Sequence, residues 1–175
     1  MGLATRHAAV AALLRESEHD LEVLLIQRAS RAGDPWSGHI ALPGGHAQPT
    51  DSDLLATALR ETHEEIGVDL ARGAELLGRL SDLQPASGGA LNVRPYCFAV
   101  GEGVTLRLSD EVERAFWAPL GPLALGQCDA THDFNRDGTA VSFPAWKIDG
   151  QVVWGMTYRA LSELLRRIAQ AESPT

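Results

Sequence analysis

The chain is poor in cysteine, in basic charge and in long apolar runs, and each shortage excludes a class of protein. Only Cys97 and Cys128 occur among 175 residues. They lack metal-ligand spacing, cannot form a disulfide framework and suit a reducing compartment. Fifteen Lys and Arg stand against 23 Asp and Glu, a formal net charge of −8 with a pI near 5.2. That balance gives no electrostatic footprint for nucleic acid or an anionic membrane surface. The uncharged stretch Ala8 to Leu14 is too short for a signal peptide, and no run reaches membrane-spanning length. Arg6 stands where a myristoylation motif wants Ser or Thr. With no internal repeat and no linker-like segment, the expectation is a cytoplasmic, soluble, single domain over residues 1–175, with no nucleic-acid and no membrane partner. The chain is 45% hydrophobic and 22% charged, long enough to bury one core.

What the chain does have is concentrated in residues 42 to 68. Glu61, Glu64 and Glu65 stand at i, i+3 and i+4 and share one face of a predicted helix. Leu55, Ala58, Leu59, Thr62 and Ile66 form its apolar stripe, with Leu54 at the margin, and Glu61 and Glu65 fall at the edge of the stripe, poised to be half buried. Neighbouring glutamates repel by roughly 0.2–0.5 kcal/mol per pair, and partial burial raises their pKa values unless a cation sits among them. Carboxylate oxygens are the ligands that Mg²⁺ or Mn²⁺ prefers, with substrate phosphates completing the shell. Thr50, Asp51 and Ser52 are good N-cap residues for the helix start, and Gly67 is placed to close it. Just upstream, Leu42-Pro43-Gly44-Gly45 carries paired glycines that let backbone approach a ligand, so that a Gly45 carbonyl could add an oxygen to a metal.

The remaining chain reads as strands over 5–14, 21–28, 74–83 and 91–100, the last with Pro95 marking an edge or a bulge. Ser109 caps a turn or short helix ahead of a strand near Ala115 to Leu120. Residues 121–138, rich in Gly, Pro and Asn, read as a long loop of the kind that forms substrate lids, with His132 and Asp133 in it. Asp149-Gly150 signals a two-residue hairpin between 139–148 and 151–154. A final helix runs to about Gln170 on a stripe of Leu161, Leu164, Leu165 and Ile168, followed by a frayed tail over 171–175. Asp34-Pro35-Trp36 is turn-forming, and Trp36 either stacks on a base or packs its loop against the core.

Gly44-Gly45, an acidic residue, then Arg60-Glu61-x-x-Glu64-Glu65-x-Gly67 with an apolar residue on each side of the glycine resembles the signature box of the Nudix hydrolases. Asp51 stands where the first glutamate is usual, and Arg60 arrives one residue later than the commonest spacing. That spacing is similar to the coenzyme A pyrophosphatase branch. So are Leu24-Leu25-x-x-Arg28, the run Ser37 to Gly45, and Trp154-Gly155-Met156-Thr157. The segment Ala29 to Trp36 departs from the branch by one extra residue, with Gly33 where a second arginine is expected and Arg31 nearby.

The resemblance implies an α/β fold, the Nudix α/β/α sandwich around a mixed β-sheet. It implies metal-dependent hydrolysis of a pyrophosphate bond in a nucleoside diphosphate joined to another moiety. Coenzyme A or an acyl derivative leads, giving 3′,5′-ADP and phosphopantetheine; ADP-ribose, NADH or a damaged nucleoside triphosphate are rivals within the class. A silent nucleotide-binding module is the alternative outside it. Glu61, Glu65, Glu64 and the Gly45 carbonyl would hold Mg²⁺ or Mn²⁺, Glu61 or Glu64 would take the proton, and Arg60 would orient Glu64. Arg28, Arg31, Arg94 and Trp36 are the substrate-binding candidates, and Glu111 a secondary acidic residue near the metal. The expected partner is a small nucleotide, and a homodimer is common in the family.

Overall fold

The computed structural model describes residues 6–33, 36–86, 88–136 and 139–172. Asp34 and Pro35 of the expected turn, and residues 173–175 of the tail, lie outside them. Two long strands open the chain, β1 (Arg6–Glu16) and β2 (Leu21–Arg28), folded antiparallel with Leu14 opposite Val23. Ser17 closes the turn between them, its Oγ donating to the Asp20 carbonyl at 2.9 Å. Short strands β3 (Ile40–Ala41) and β4 (Gly44–His46) follow, then helix α1 (Leu54–Ile66), the single turn α2 (Leu70–Gly73), β5 (Ala74–Arg79), β6 (Leu91–Val100), β7 (Val112–Pro119) and α3 (Leu120–Ala124). Strands β8 (Asp129–Arg136), β9 (Thr139–Ile148) and β10 (Gln151–Trp154) form a separate antiparallel sheet before helix α4 (Gly155–Glu172).

The main sheet has seven strands, with path β3-β2-β1-β6-β5, β7 on β2 and β4 on β1. It is mixed: β1 and β6 run parallel from Arg6–Leu91 to Leu14–Ala99, while the other pairings are antiparallel. One edge of β1 is taken by β6, so the other is shared, by β4 at Ala8 to Val10 and by β2 from Leu14 onward. This division seats the glycine pair of β4 inside the sheet.

Strand alternation sorts β1 into two cores. Ala9, Ala11 and Leu13 pack with Leu24, Ile26, Phe98 and the α1 residues Ala58 and Ile66. Ala8, Ala12 and Leu14 pack on the opposite face with Cys97 and the α4 residues Ala160, Leu161 and Leu164. The result is helix, sheet, helix, the α/β/α arrangement expected. Cys97 is a buried free thiol in the second core, and Cys128 is free and half buried. Among the described residues no helix is long and apolar enough to cross a membrane.

Several expectations are corrected. The helix is capped by Asp53, whose carboxylate accepts from the Ala56 N–H at 2.8 Å, and Thr50, Asp51 and Ser52 precede the cap. Pro95 lies in an interior strand, since β6 has β1 and β5 on its two sides. It is tolerated because its missing N–H falls on the β5 side just past the end of that strand, where its carbonyl accepts from Leu80 at 2.9 Å. Residues 121–138 are not a long loop: α3 and β8 occupy most of them, and the alternation of Ala130, His132 and Phe134 with Thr131, Asp133 and Asn135 is a strand pattern hidden by its polar half. Ala171 and Glu172 belong to α4 and not to a frayed tail. Strand 74–83 stops at Arg79, leaving Leu83 as a lone bridge to Val93, and β7 already begins at Val112. The Asp149-Gly150 hairpin forms as expected, with φ of 51° and 78° at its two corners and Ile148 opposite Gln151.

Candidate active site

The site lies where α1 crosses the glycine pair of β4. Gly67 ends α1 in the left-handed region (φ 72°), its N–H donating to the His63 carbonyl at 2.9 Å. The segment before β7 crosses that end of the helix, Arg107 and Ser109 donating backbone N–H bonds to the Ile66 and Glu65 carbonyls at 2.8 and 2.9 Å. The last turn of α1, which carries Glu64 and Glu65, is thereby fixed at its backbone.

Glu65 is more buried than its edge position implied, at 4% exposure. The Gly44 N–H donates to its Oε2 at 2.8 Å. Burial pushes its carboxyl up to about 7; the Gly44 bond and the Arg28 charge oppose this, while Glu61 and Glu111 reinforce it. Glu61 lies against Gly45: a Cβ there would stand 2.6 Å from the Glu61 carboxyl carbon. The missing Cβ at 45 is what lets this carboxylate lie against the strand. Glu64 is over half exposed.

Arg60 binds the cluster together and spends all five of its N–H donors doing so. Nε and one Nη reach the two Asp51 oxygens at 2.9 and 3.0 Å, the same Nη reaches the His46 carbonyl at 3.0 Å, and the other Nη reaches Glu61 and Glu64 at 2.8 and 2.9 Å. Asp51 also accepts from the Gln48 N–H and the Thr57 hydroxyl, and these bonds, Arg60 first, hold its carboxyl far below the usual carboxylate range.

Among the described residues no three His, Cys, Asp or Glu side chains converge on one metal-sized point. The reason is visible: Glu61 and Glu64 are both turned to Arg60, and Glu65 to Gly44. The donor set nevertheless fits a hard divalent cation. It consists of carboxylates, one of them pushed up in pKa by burial and by the charges of Glu61 and Glu111, beside a glycine whose missing Cβ leaves room for Glu61.

The other candidates are dispersed. Arg28 ends β2 close enough to lower the pKa of Glu65. Glu111 is near as well, since it raises that pKa, and it pairs with Arg31 at 3.3 Å. Arg94 lies on the α1 face of the sheet, two strands from Gly45 and so roughly 10 Å away. Asp82 grips it through two bonds of 2.7 and 2.8 Å. Trp36 sits edge-on to His39 with ring centroids 5.5 Å apart. His132 is not in a lid but on β8, 4.2 Å from the Trp154 ring. Asp51 and Gly44 are the residues that sequence reasoning underused: Asp51 was visible as an acidic residue in the box, but only the fold shows it as the partner of Arg60.

The NUDIX domain model matches residues 5–137. The uncharacterised Nudix hydrolase NudL of Yersinia enterocolitica is 32% identical over 148 residues, 84% of this chain and 72% of that protein. An uncharacterised protein of Schizosaccharomyces pombe is 42% identical over 112 residues, and this chain spans only 34% of its length. RenU, a Nudix hydrolase from M. smegmatis, shares the fold with a TM-score of 0.63 at 15% identity, covering 99% of this chain and 91% of that one. Domain match, relatives and fold agree with the box, and the chain belongs to the Nudix family of pyrophosphohydrolases.

Proposed function

We propose that residues 1–175 form one Nudix domain that hydrolyses the pyrophosphate bond of a nucleoside diphosphate derivative, with coenzyme A or acyl-coenzyme A as the leading substrate. The observation that carries the reaction class is the acidic cluster Glu61, Glu64 and Glu65 set against Gly44-Gly45 and ordered by Arg60.

Glu61, Glu64 and Glu65, with the Gly45 carbonyl, would hold Mg²⁺ or Mn²⁺. When bound, such a cation supplies charge screening for the diphosphate and acidifies water at the site. Glu61 or Glu64 accepts the proton of the attacking water: both are carboxylates beside the reaction site, held at a defined angle by one guanidinium nitrogen. Arg60 has no N–H left for substrate and is a positioning residue. Arg28, whose charge reaches Glu65, and Arg31, which pairs with Glu111, would meet the substrate phosphates that an acidic protein must neutralise locally; Arg94 is a more distant third.

Support for coenzyme A comes from how two sequence stretches meet. The run Ser37 to Gly45 and the step Trp154-Gly155-Met156-Thr157 are over a hundred residues apart in the chain. In the fold the Thr157 hydroxyl donates to the Ile40 carbonyl at 3.3 Å and the Trp154 ring lies 5.5 Å from His39. The stretches that resemble the coenzyme A branch thus make one wall beside the box. On this reading the protein serves in a reducing cytoplasm.

The test incubates the full chain and Mg²⁺ with coenzyme A, ADP-ribose, NADH, a diadenosine polyphosphate and 8-oxo-dGTP, separately, and identifies products by mass. Release of 3′,5′-ADP from coenzyme A well above the other rates is expected. Cleavage of another substrate alone would retain the hydrolase and remove the coenzyme A assignment; no cleavage with Mg²⁺ or Mn²⁺ would leave a nucleotide-binding module.

A further inference from the structure

The three-stranded sheet has two unlike faces. In its registers His132 stands opposite Phe143, Ala130 opposite Ala145, and Ala145 opposite Trp154. Alternation therefore puts His132, Phe134, Phe143 and Trp154 on one face, and Trp146, Ile148 and Val153 on the other. The second face is core, buried with Leu161 and Leu164 of α4. On the first face His132, Phe134 and Phe143 surround Trp154 with ring centroids at 4.2, 5.5 and 5.7 Å, and His39 and then Trp36 continue the cluster from the adjacent loop. Trp36 is 46% and Phe134 37% exposed, and the other four rings are partly buried. A core does not account for them.

Their position gives the cluster a use. The Arg28 N–H donates to the His39 carbonyl at 3.0 Å, and the Arg28 charge acts on Glu65. One strand end, that of β2, hence joins the acidic box to the rings, with an arginine at the junction. A nucleotide whose diphosphate lies over the box has its base on one side of it, and on the side of the rings it meets flat π-faces and imidazole groups. Aromatic faces of this kind take any heteroaromatic base by stacking.

We propose that the aromatic face of β8–β10, extended by His39 and Trp36, is the base-binding platform of the nucleotide substrate. The assignment rests on the hydrolase reading for its ligand class, and its test can be run without turnover. The full chain in EDTA is titrated calorimetrically with AMP and with ribose 5-phosphate, which lacks the base. The exposed Trp36→Ala and Phe134→Ala variants are compared with wild type after their thermal melts show folding, and sedimentation gives the mass of each.

Wild type is expected to bind AMP at least about fivefold more tightly than ribose 5-phosphate, and each variant to weaken AMP by a similar factor while leaving ribose 5-phosphate unchanged, the lower end of what one base–aromatic stack contributes. Equal binding of the two ligands to wild type, or AMP affinity unaltered in both variants, overturns the platform. A Phe134→Ala chain that loses a dimer without losing AMP overturns it too and makes the face an interface between copies. Failure of the hydrolase reading looks different: preference for AMP persists while none of the five substrates is cut.

Discussion

Asp51 and Arg60 face each other across the start of α1 through two parallel hydrogen bonds of 2.9 and 3.0 Å, and the Asp51 side chain is only 6% exposed. A fork of this kind fixes the plane of the guanidinium as well as its place. Because the other Nη then reaches Glu61 and Glu64, the Asp51 carboxylate indirectly sets the angle of two candidate metal ligands. Asp51→Asn keeps the shape and removes the charge and one acceptor. It should lower apparent Mg²⁺ affinity or kcat by about 10- to 100-fold, the scale for groups that orient ligands. Activity at saturating Mg²⁺ and an Mg²⁺ titration read the two effects; a variant within twofold of wild type in both would show that the cluster orders itself without Asp51.

Glu65 yields two predictions of opposite sign. Glu65→Gln should cut kcat by 10²-fold or more at saturating Mg²⁺, the loss expected on removing a principal electrostatic stabiliser. In EDTA the same variant should gain stability relative to wild type at neutral pH. The folded carboxyl holds its proton up to about pH 7, whereas the unfolded one has released it by about 4.5. Between those values the folded chain binds more protons, so wild-type stability falls as pH rises through the window. Thermal melts from pH 4 to 8 in EDTA should show that fall in wild type and flatten it in Glu65→Gln.

The acidic box was legible because its chemistry is local: one helix carries Glu61, Glu64, Glu65 and Arg60, and helical spacing alone brings them together. The turn at Asp149-Gly150 was legible for the same reason, two adjacent residues able to take positive φ. What escaped the sequence depends on pairing between distant segments. The N-cap moved to Asp53 because Asp51 is claimed by Arg60, nine residues on. Pro95 reads as an edge residue until β5 is seen to stop one residue short of it. The strand β8 looked like a loop because only Ala130 and Phe134 of its eight residues are apolar and the face they share with His132 is completed by Phe143 and Trp154 from two other strands.

Arg94 illustrates a choice that sequence left between substrate phosphate and ion pair. Asp82 holds it by two short bonds and is itself held down to about 2, Arg94 first and Asn92 next among the causes. A lowered carboxyl pKa stabilises the fold above the ordinary value of 3.8 and loses that contribution as pH falls toward 2. Asp82→Asn should therefore reduce stability at pH 7 and flatten the acid limb of the stability curve between pH 4 and 2. Both side chains are 29% exposed, so the effect at neutral pH should stay below about 1 kcal/mol and shrink in 1 M salt. Chemical denaturation at pH 7, 4 and 2, at low and high salt, measures it.

The two glycines of β4 are needed for different reasons, and alanine should separate them. At Gly45 the obstacle is the Glu61 carboxyl group, 2.6 to 2.8 Å from the position of an added Cβ. That group ends a flexible side chain and can swing away, so Gly45→Ala should leave the melting temperature within a few degrees of wild type while lowering activity by tenfold or more, because the displaced carboxylate is one that Arg60 was holding. At Gly44 the obstacles are backbone: the Ala9 carbonyl at 2.3 Å and the Val10 Cα at 2.5 Å. Its φ of 147° is also one that L side chains rarely adopt. Neither strand can yield without breaking the pairing of Val10 with Gly44, so Gly44→Ala should destabilise the fold by about 2–5 kcal/mol, overpacking and backbone strain acting together. Paired melts and activity assays at a temperature where both variants are folded test the separation. If Gly45→Ala melts as low as Gly44→Ala, the Glu61 carboxylate is a fixed part of the core; if it stays stable and fully active, that carboxylate does not need its place against Gly45 for the reaction.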